Sequence, residues 1–307
     1  MKNVFRKSST LFIILFVSIL YFACSKKRIE DPTVNQYNPV STYLDTKKQA
    51  EQEFIIDSSN TGPIVGNQGT KISIAKQCLM YPNGDSVTWP FTVKLVELYK
   101  PKDMIYYQMP TVASGNILET GGEIRLGAFK NGTELVLKPT PCFSQIEMPS
   151  TAPKNNMRVF YGFDSNGRPN WTDNPASLGV TTSLSPVFST TASSYIASIA
   201  RLGWINCDVL VTNTPGSTLT FVSSTDNLTN VGLFIYLPAT KTVMQVYNVT
   251  SDLIPNGVSA TIIAIAVDAN GQLFSSHTTQ TINGNAQVDV VLGPVTDADL
   301  TAFLDGL

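Results

Sequence analysis

The chain has 307 residues, of which 21 are Lys or Arg, 23 are Asp or Glu, and only one is His. A formal net charge of −2 offers no basic surface for nucleic acid, and a single His excludes metal centres and catalytic sites built from several histidines. Charged residues make up 14% of the chain, against roughly 25% in typical soluble domains. The composition indicates a globular protein rich in uncharged polar residues.

The first segment has the features of a secretory signal. Three basic residues precede an apolar run from Leu11 to Phe22, which is shorter than the ~20 residues that span a bilayer as a helix. The run ends at Ala23-Cys24, and this junction resembles the lipobox of bacterial lipoproteins. The resemblance implies a signal peptide over residues 1–23, cleavage before Cys24, and membrane anchorage through palmitate on Cys24. An ordinary secretory signal and an uncleaved anchor are the alternatives.

The next segments predict the domain organisation. Residues 24–50 lack apolar periodicity and contain two prolines, so we expect a tether that ends in a short helical piece. A stretch rich in Ser, Thr, Pro and Gly lies between residues 173 and 194. It predicts a boundary between an N-terminal domain over residues 51–190 and a C-terminal domain over residues 195–307. One continuous sandwich is the alternative.

Both predicted domains have the pattern of antiparallel strands. Apolar and polar residues alternate in segments such as Phe91–Tyr99, which places the apolar side chains on one face of a sheet. Asn-Gly, a pair that tolerates the positive φ angles of tight hairpins, occurs six times. Near the C-terminus, Thr296 can cap a helix with one apolar side, which we expect to dock on a sheet. The predicted fold class is all-β, with two antiparallel β-sandwich domains and a short C-terminal helix.

Two sequence blocks carry a further resemblance. The first runs from Gly69-Thr70-Lys71-Ile72 through Val93–Tyr99 and Lys102–Ile105 to Gly121-Gly122-Glu123, and the second is Leu202–Asp208. Both blocks resemble segments of outer-membrane lipoproteins of the Bacteroidetes, and the first is also distantly similar to ZU5-like β-sandwich domains. The resemblance implies a β-sandwich fold and a lipid-anchored outer-membrane location, on either the periplasmic or the outer side. It implies no activity.

The cysteines indicate no redox or zinc site. With Cys24 assigned to the lipid, Cys78, Cys142 and Cys207 remain, so at most one disulfide can form among them, and the sequence does not determine which. No C-x-x-C motif occurs. Each of the three lies in an apolar, strand-like segment, which favours buried free thiols.

No segment carries a recognisable catalytic constellation. His277 follows two serines, but neighbouring strand residues point to opposite faces, so we expect a solvent-facing histidine. Glu97, Glu123 and Glu134 occupy polar positions of alternating strands, and we expect them to face water.

Two D-x-N-G stretches, starting at Asp164 and Asp268, lack the later acidic ligands of a calcium loop. They predict hairpin turns. The sequence therefore indicates neither a metal nor another cofactor.

The aromatic residues are the remaining candidates for partner recognition. Tyrosines cluster around residues 99–107 and one tryptophan lies in a polar turn region, and exposed aromatics can stack on sugars or peptides. The candidate binding residues are Tyr99, Tyr106, Tyr107 and Trp171, with interior packing as the alternative. Trp89 and Trp204 lie in apolar surroundings and are assigned to cores. Asp85-Ser86-Val87 is similar to an O-glycosylation sequon of Bacteroidetes, which makes Ser86 a candidate glycosylation site.

These observations favour a lipid-anchored envelope protein without catalytic activity. We expect a binding or structural module that holds an envelope protein or a glycan through its sandwich surfaces. The competing hypothesis is an envelope hydrolase whose carboxylates are brought together by the fold.

Overall fold

A computed structural model describes residues 34–60, 62–139, 144–180, 187–211 and 215–307. The predicted lipobox with Cys24 and the segment that contains Cys142 lie outside these residues. Residues 36–307 form one compact unit. Among the described residues, no helix combines the length and the apolar character that crossing a membrane requires.

Strands are the main regular element of the described chain. Up to residue 180 they are β1 (Gln52–Ile56), β2 (Ile64–Val65), β3 (Lys71–Ile74), β4 (Leu79–Met80), β5 (Phe91–Leu98), β6 (Val112–Ala113), β7 (Asn116–Lys130), β8 (Thr133–Glu134), β9 (Val136–Leu137), β10 (Ser144–Pro149), β11 (Arg158–Asp164) and β12 (Pro169–Thr172).

After residue 187 the strands are β13 (Phe188–Thr190), β14 (Ser194–Ser198), β15 (Gly203–Leu210), β16 (Gly216–Ser217), β17 (Leu219–Val222), β18 (Gly232–Leu237), β19 (Thr242–Val246), β20 (Ile254–Pro255), β21 (Ser259–Val267), β22 (Leu273–Thr281), β23 (Ala286–Asp289) and β24 (Gly293–Pro294). The helices are α1 (Ser41–Leu44), α2 (Pro101–Tyr107) and α3 (Asp297–Asp305), and single 3₁₀ turns occupy Asp45–Lys47, Lys76–Cys78, Pro175–Leu178 and Leu228–Asn230.

Three larger sheets organise the fold. Sheet A has eight strands in the order β1-β5-β7-β15-β11-β12, with β6 and β8 also pairing β7. Sheet B has the order β13-β14-β10-β3-β2, and sheet C has the order β19-β18-β21-β22-β24. The pairs in these sheets are antiparallel, whereas β17 and β23 pair in parallel. The predicted all-β class, with antiparallel sheets and a short C-terminal helix, is confirmed.

Strand pairing continues across the predicted domain boundary near residues 190–195. Strand β14 pairs with β10 in sheet B, and β15 pairs with both β7 and β11 in sheet A. The polar stretch before β14 is therefore a connection within the N-terminal sheets, because strands on both sides of it complete the same two sheets.

Sheet A is covered on both faces. One face packs on sheet B through side chains such as Leu95, Ile124 and Ile146. The other face packs through Leu98 and Phe160 against a cluster that includes residues of sheet C and all three helices. A further cluster lies in the C-terminal part, around β17, β18 and β21. Strands of sheet A consequently bury positions that the alternation pattern assigned to solvent.

The last part of the predicted tether belongs to the folded body. Tyr37, Val40 and Leu44 are buried. The Tyr37 hydroxyl donates to Asp226 at 2.6 Å, and the Asn38 amide donates to the carbonyl of Val267 at 2.8 Å. The tether prediction is therefore wrong from residue 36 onward, because these side chains fill space beside the C-terminal strands.

Thr296 caps α3 as predicted. Its side chain accepts a hydrogen bond from the amide of Asp299 at 3.1 Å, and Leu300 and Leu304 are buried on the sheet side. Phe303 stacks on the exposed His277 ring at 3.9 Å, so this histidine lies on the surface as expected.

The structure corrects the assignment of one cysteine. Cys207 is a buried free thiol, as predicted, and burial raises its pKa. Cys78 is instead disulfide-bonded, to a partner outside the described residues. An apolar, strand-like segment suits a disulfide-bonded cysteine as well as a free thiol, so the sequence pattern could not separate the two. In the structure Cys78 adjoins the β4–β9 pair, and the Lys138 amide donates to the Cys78 carbonyl at 2.9 Å.

Candidate functional site

Two adjoining cavities form a polar concave surface. Their volumes are about 600 Å³ and 420 Å³, and they share the lining residues Arg168, Gln245 and Tyr247. We call this surface the Arg168 groove. Its remaining walls come from the segments around residues 108–115, 227–233 and 248–252.

The β11–β12 hairpin places Arg168 at the groove. In its turn the Asp164 carboxylate accepts the Gly167 amide at 2.9 Å, and the Ser165 amide donates to the Arg168 carbonyl at 2.8 Å. Asn166 and Gly167 have φ angles of 56° and 77°, the conformation that Asn-Gly permits. The first D-x-N-G stretch is thus a hairpin turn, and it presents the arginine that follows it.

The Arg168 guanidinium stacks on an aromatic ring. Its Cζ lies 4.4 Å from the ring centre of Tyr247, whose hydroxyl donates to Oε1 of Gln245 at 3.1 Å. No ion pair joins Arg168 to a carboxylate of the described residues. The guanidinium is therefore held in place by a ring and keeps its N–H donors free for a ligand.

Burial and nearby charges keep the groove's tyrosine neutral. Partial burial raises the pKa of Tyr247 to about 12, with Arg168 opposing the rise and Asp252 adding to it. Partial burial also raises the pKa of Asp252, again opposed by Arg168. The groove therefore offers a guanidinium, an amide, a neutral hydroxyl and a carboxyl group within one surface.

Backbone strain concentrates at this groove. Five of its lining residues have positive φ angles although none is glycine, namely Gln108, Ser114, Asn166, Asn248 and Val249. Val249, at φ 56°, is the most unusual, because a β-branched residue rarely adopts this conformation. Such residues cost about 1–3 kcal/mol each and cluster at functional sites.

A buried tryptophan supports the wall of the groove. Trp171 donates its indole N–H to the Pro110 carbonyl at 2.7 Å. Oδ1 of Asn170 accepts the amides of Trp171 and Ser114 at 2.8 and 2.9 Å. Pro110, Ser114 and Asn170 all line the smaller cavity, whereas Trp171 does not. Trp171 therefore positions residues of the groove wall from behind.

A second polar cluster lies inside sheet A, where the two blocks that resemble lipoprotein segments meet. In the β7–β15 register, Glu123 opposes Asn206 and Thr120 opposes Asp208. Between these two pairs, β7 advances by three residues and β15 by only two, so β7 contains a β-bulge. The bulge brings four polar side chains to the same side of the sheet, and we call them the bulge cluster: Thr120, Glu123, Asn206 and Asp208.

Two glycines permit this bulge. A Cβ at Gly121 would lie 2.9 Å from the carbonyl oxygen of Cys207, and a Cβ at Gly122 would lie 2.3 Å from the Tyr99 ring. Gly122 also has a φ of 122°. Only residues without a side chain fit the extra step of β7.

The bulge cluster is buried and incompletely hydrogen-bonded. Thr120 donates to Oδ1 of Asn206 at 3.1 Å, and Nδ2 of Asn206 donates to Oε1 of Glu123 at 3.3 Å. Oε2 of Glu123 and both carboxyl oxygens of Asp208 have no hydrogen-bond partner. Burial raises the pKa of Glu123, and the charge of Asp208 adds to this rise. Burial likewise raises the pKa of Asp208, and the nearby Thr120 hydroxyl opposes that rise.

Glu97 shows what a fully satisfied buried carboxylate looks like in this protein. Its oxygens accept the amides of Thr70 and Gln68 at 3.0 and 2.9 Å and the side-chain amide of Gln52 at 2.8 Å. The expectation that Glu97 and Glu123 face water is wrong, because both faces of sheet A are covered. Glu134 is exposed, as expected.

The predicted binding aromatics do not form a shared surface. Tyr106 and Trp171 are buried in the cluster below the helices, and Tyr107 packs edge-on against Trp204 at 5.8 Å. Tyr99 is half-buried and hydrogen-bonded to Thr70 at 2.7 Å. Tyr106 and Trp171 therefore pack in the interior, the alternative given for them above, whereas Tyr99 and Tyr107 are half-buried.

Two other predicted features lie as the sequence indicated. Trp89 and Trp204 are half-buried and pack against the hydrophobic clusters. Ser86 is exposed just after the Asn83-Gly84 turn, where its hydroxyl is accessible.

The described residues contain no candidate metal site. Within them, no group of three or more His, Cys, Asp or Glu side chains is arranged to hold a metal ion.

Comparison with known proteins adds no identity. No protein-family model matches the chain, and no curated protein matches it. The geometry of the two sites is therefore the evidence on function.

Proposed function

We propose that this chain is a lipid-anchored protein of the bacterial cell envelope that acts as a non-catalytic binding module, with the Arg168 groove as its binding surface. A glycan is the favoured partner and an envelope protein is the second candidate. The observation that carries the proposal is the unpaired Arg168 guanidinium stacked on Tyr247 in a polar, strained groove.

The lining favours hydroxyl-rich ligands. Gln245, Asn170, Asp252 and Arg168 supply amide, carboxyl and guanidinium groups that hydrogen-bond sugar hydroxyls or acidic substituents. Arg168 is already held against the Tyr247 ring, so it loses less conformational freedom when a ligand binds.

The buried carboxyls give the alternative hydrolase hypothesis little support. A glycoside hydrolase needs two carboxyl groups that reach the substrate. Glu123 and Asp208 are both fully buried, and neither lines the groove.

Binding to an array of polysaccharides and peptidoglycan fragments tests the groove. Removing a charged hydrogen-bond donor costs about 1.5–3 kcal/mol, so we expect Arg168→Ala to weaken binding about 10- to 100-fold. Arg158→Ala is the matched control, because Arg158 is an exposed arginine paired with Asp173 on the same hairpin. Equal binding by both variants and the wild type would refute the assignment of the groove.

Metabolic labelling with a palmitate analogue tests the anchor separately. We expect labelled wild type and unlabelled Cys24→Ala. Label that persists in Cys24→Ala would show that the lipobox resemblance misassigns the anchor.

A further inference from the structure

The bulge cluster has a composition that structural stability alone does not favour. A buried ionisable group without hydrogen-bond partners costs free energy, and apolar residues of similar size often serve better. Here Glu123 and Asp208 are fully buried, and three of their four carboxyl oxygens lack partners. Between them lie a hydroxyl and a carboxamide in direct contact, Thr120 and Asn206.

We propose that Thr120 and Asn206 join in an intramolecular ester bond that cross-links β7 to β15. Thr120 Oγ1 lies 3.1 Å from Oδ1 of Asn206, and the Asn206 carboxamide is held on its other side by Glu123 at 3.3 Å. A fixed nucleophile beside a fixed acyl group is the arrangement that lowers the entropy cost of acyl transfer.

The two carboxyl groups supply the proton transfers. Thr120 Oγ1 bonds to Cγ of Asn206, and the hydroxyl proton passes to Asp208. The Cγ–Nδ2 bond then breaks, and the nitrogen leaves as ammonia after receiving a proton from Glu123. The net change is one hydroxyl plus one carboxamide giving one ester plus one ammonia, and the carboxyl pair ends with the single proton with which it began.

The surroundings suit these roles. Like-charged carboxyls in a buried site share a proton, because both cannot ionise at low cost. Burial raises the pKa of Glu123, which keeps a proton available for the leaving nitrogen. Asp208 lies opposite Thr120 in the β7–β15 register, and neither of its carboxyl oxygens has a hydrogen-bond partner, so both can accept the proton of that hydroxyl.

The site also has an exit and excludes bulk water. Thr120, Gly121 and Gly122 line a cavity of about 360 Å³ that borders the cluster, through which ammonia can leave. Asn206 is fully buried, so the ester would be protected from hydrolysis. Diluted and protonated in solvent, the ammonia does not return.

Peptide mass analysis of the full-length chain, purified in detergent, tests the proposal. Trypsin releases Thr120 in the peptide 103–125 and Asn206 in the peptide 202–241. We expect one linked species whose mass is the sum of the two peptides minus one ammonia, and hydroxylamine should separate it by cleaving the ester. Unlinked peptides with intact Thr120 and Asn206 would overturn the proposal. Asn206 found as Asp would also overturn it, because water rather than Thr120 would then be the nucleophile.

Variants separate the roles of the four residues. Thr120→Ser keeps the hydroxyl and should keep the link, whereas the isosteric Thr120→Val should lose it. Glu123→Gln and Asp208→Asn keep the shapes of the side chains and should slow link formation at least tenfold. A link that forms at the wild-type rate in both would refute the proton-transfer roles. The masses of the wild-type peptides show whether the ester bond exists, even if a variant fails to fold.

Discussion

Replacing Leu44 by Ala tests whether the segment before β1 is part of the folded body. Leu44 ends α1 and has 0% of its surface exposed, packed in the cluster that also contains Leu98, Met104 and Leu300. Truncating a fully buried leucine to alanine costs about 3–5 kcal/mol, as the sum of lost burial and the cavity left behind. If residues 36–47 were a free tether, the same change would cost nothing.

Thermal unfolding followed by circular dichroism measures the difference. At about 2–4 °C per kcal/mol for a chain of this size, Leu44→Ala should lower Tm by about 6–20 °C. Leu210→Ala is the matched control, since Leu210 is 51% exposed at the end of β15 and its truncation should change stability by less than about 1 kcal/mol. Equal Tm values for the two variants would refute the packing of α1.

Two further predictions concern the bulge. Unfolded carboxyls ionise near pH 4, whereas the raised pKa values of Glu123 and Asp208 let the folded pair retain a proton above that pH, so stability falls as pH rises above 4. Glu123→Gln should therefore show a smaller fall in Tm between pH 5 and pH 8 than the wild type, and an unchanged slope would contradict the burial of an ionisable carboxyl. Gly122→Ala should destabilise by at least about 2 kcal/mol in urea unfolding, because its Cβ would overlap the Tyr99 ring. Gly284 has a φ of 108°, near the 122° of Gly122, and lies in open space. Gly284→Ala should therefore cost about 1 kcal/mol, and equal losses in the two variants would rule out the overlap.

Local patterns were sufficient to predict the strands, the turns and the last helix. Alternation located β5, and Asn-Gly marked turns such as Asn166-Gly167, because both signals depend on neighbours in sequence. Thr296 and the apolar residues at helical spacing predicted α3 for the same reason. These features need no knowledge of what packs above or below an element.

What alternation could not predict is how many faces of a sheet are covered. It assigns Glu123 to the solvent side of β7, but a second layer over that side of sheet A comes from distant residues such as Phe160 and Leu300. Glu97 lies on the side that faces sheet B and is held there by the amides of Gln68 and Thr70. The bulge at Gly121-Gly122 could not be predicted from the sequence for a related reason, because it depends on the pairing register between β7 and β15.

The Arg168 groove was missed because its parts are far apart in the chain. Arg168 follows the Asn166-Gly167 turn, which the sequence predicted. Tyr247 and Gln245, however, come from the end of a strand almost 80 residues later in the chain. The sequence of the segment before β1 does indicate that it packs. Tyr37, Val40 and Leu44 are spaced by three and four residues, which places them on one side of a helix.

The contacts of the segment from Tyr37 to Leu44 set an order for folding. Its partners lie 189 residues away at Asp226, and 254 residues away at Asp297, which accepts the Tyr43 hydroxyl at 2.8 Å. Synthesis starts at the N-terminus, so this segment is made first and can dock only after sheet C and α3 exist. Closing such long loops is slow, and until then the apolar side chains of Val40 and Leu44 remain exposed. The first part of the body to be synthesised thus has to wait for partners from the last third of the chain.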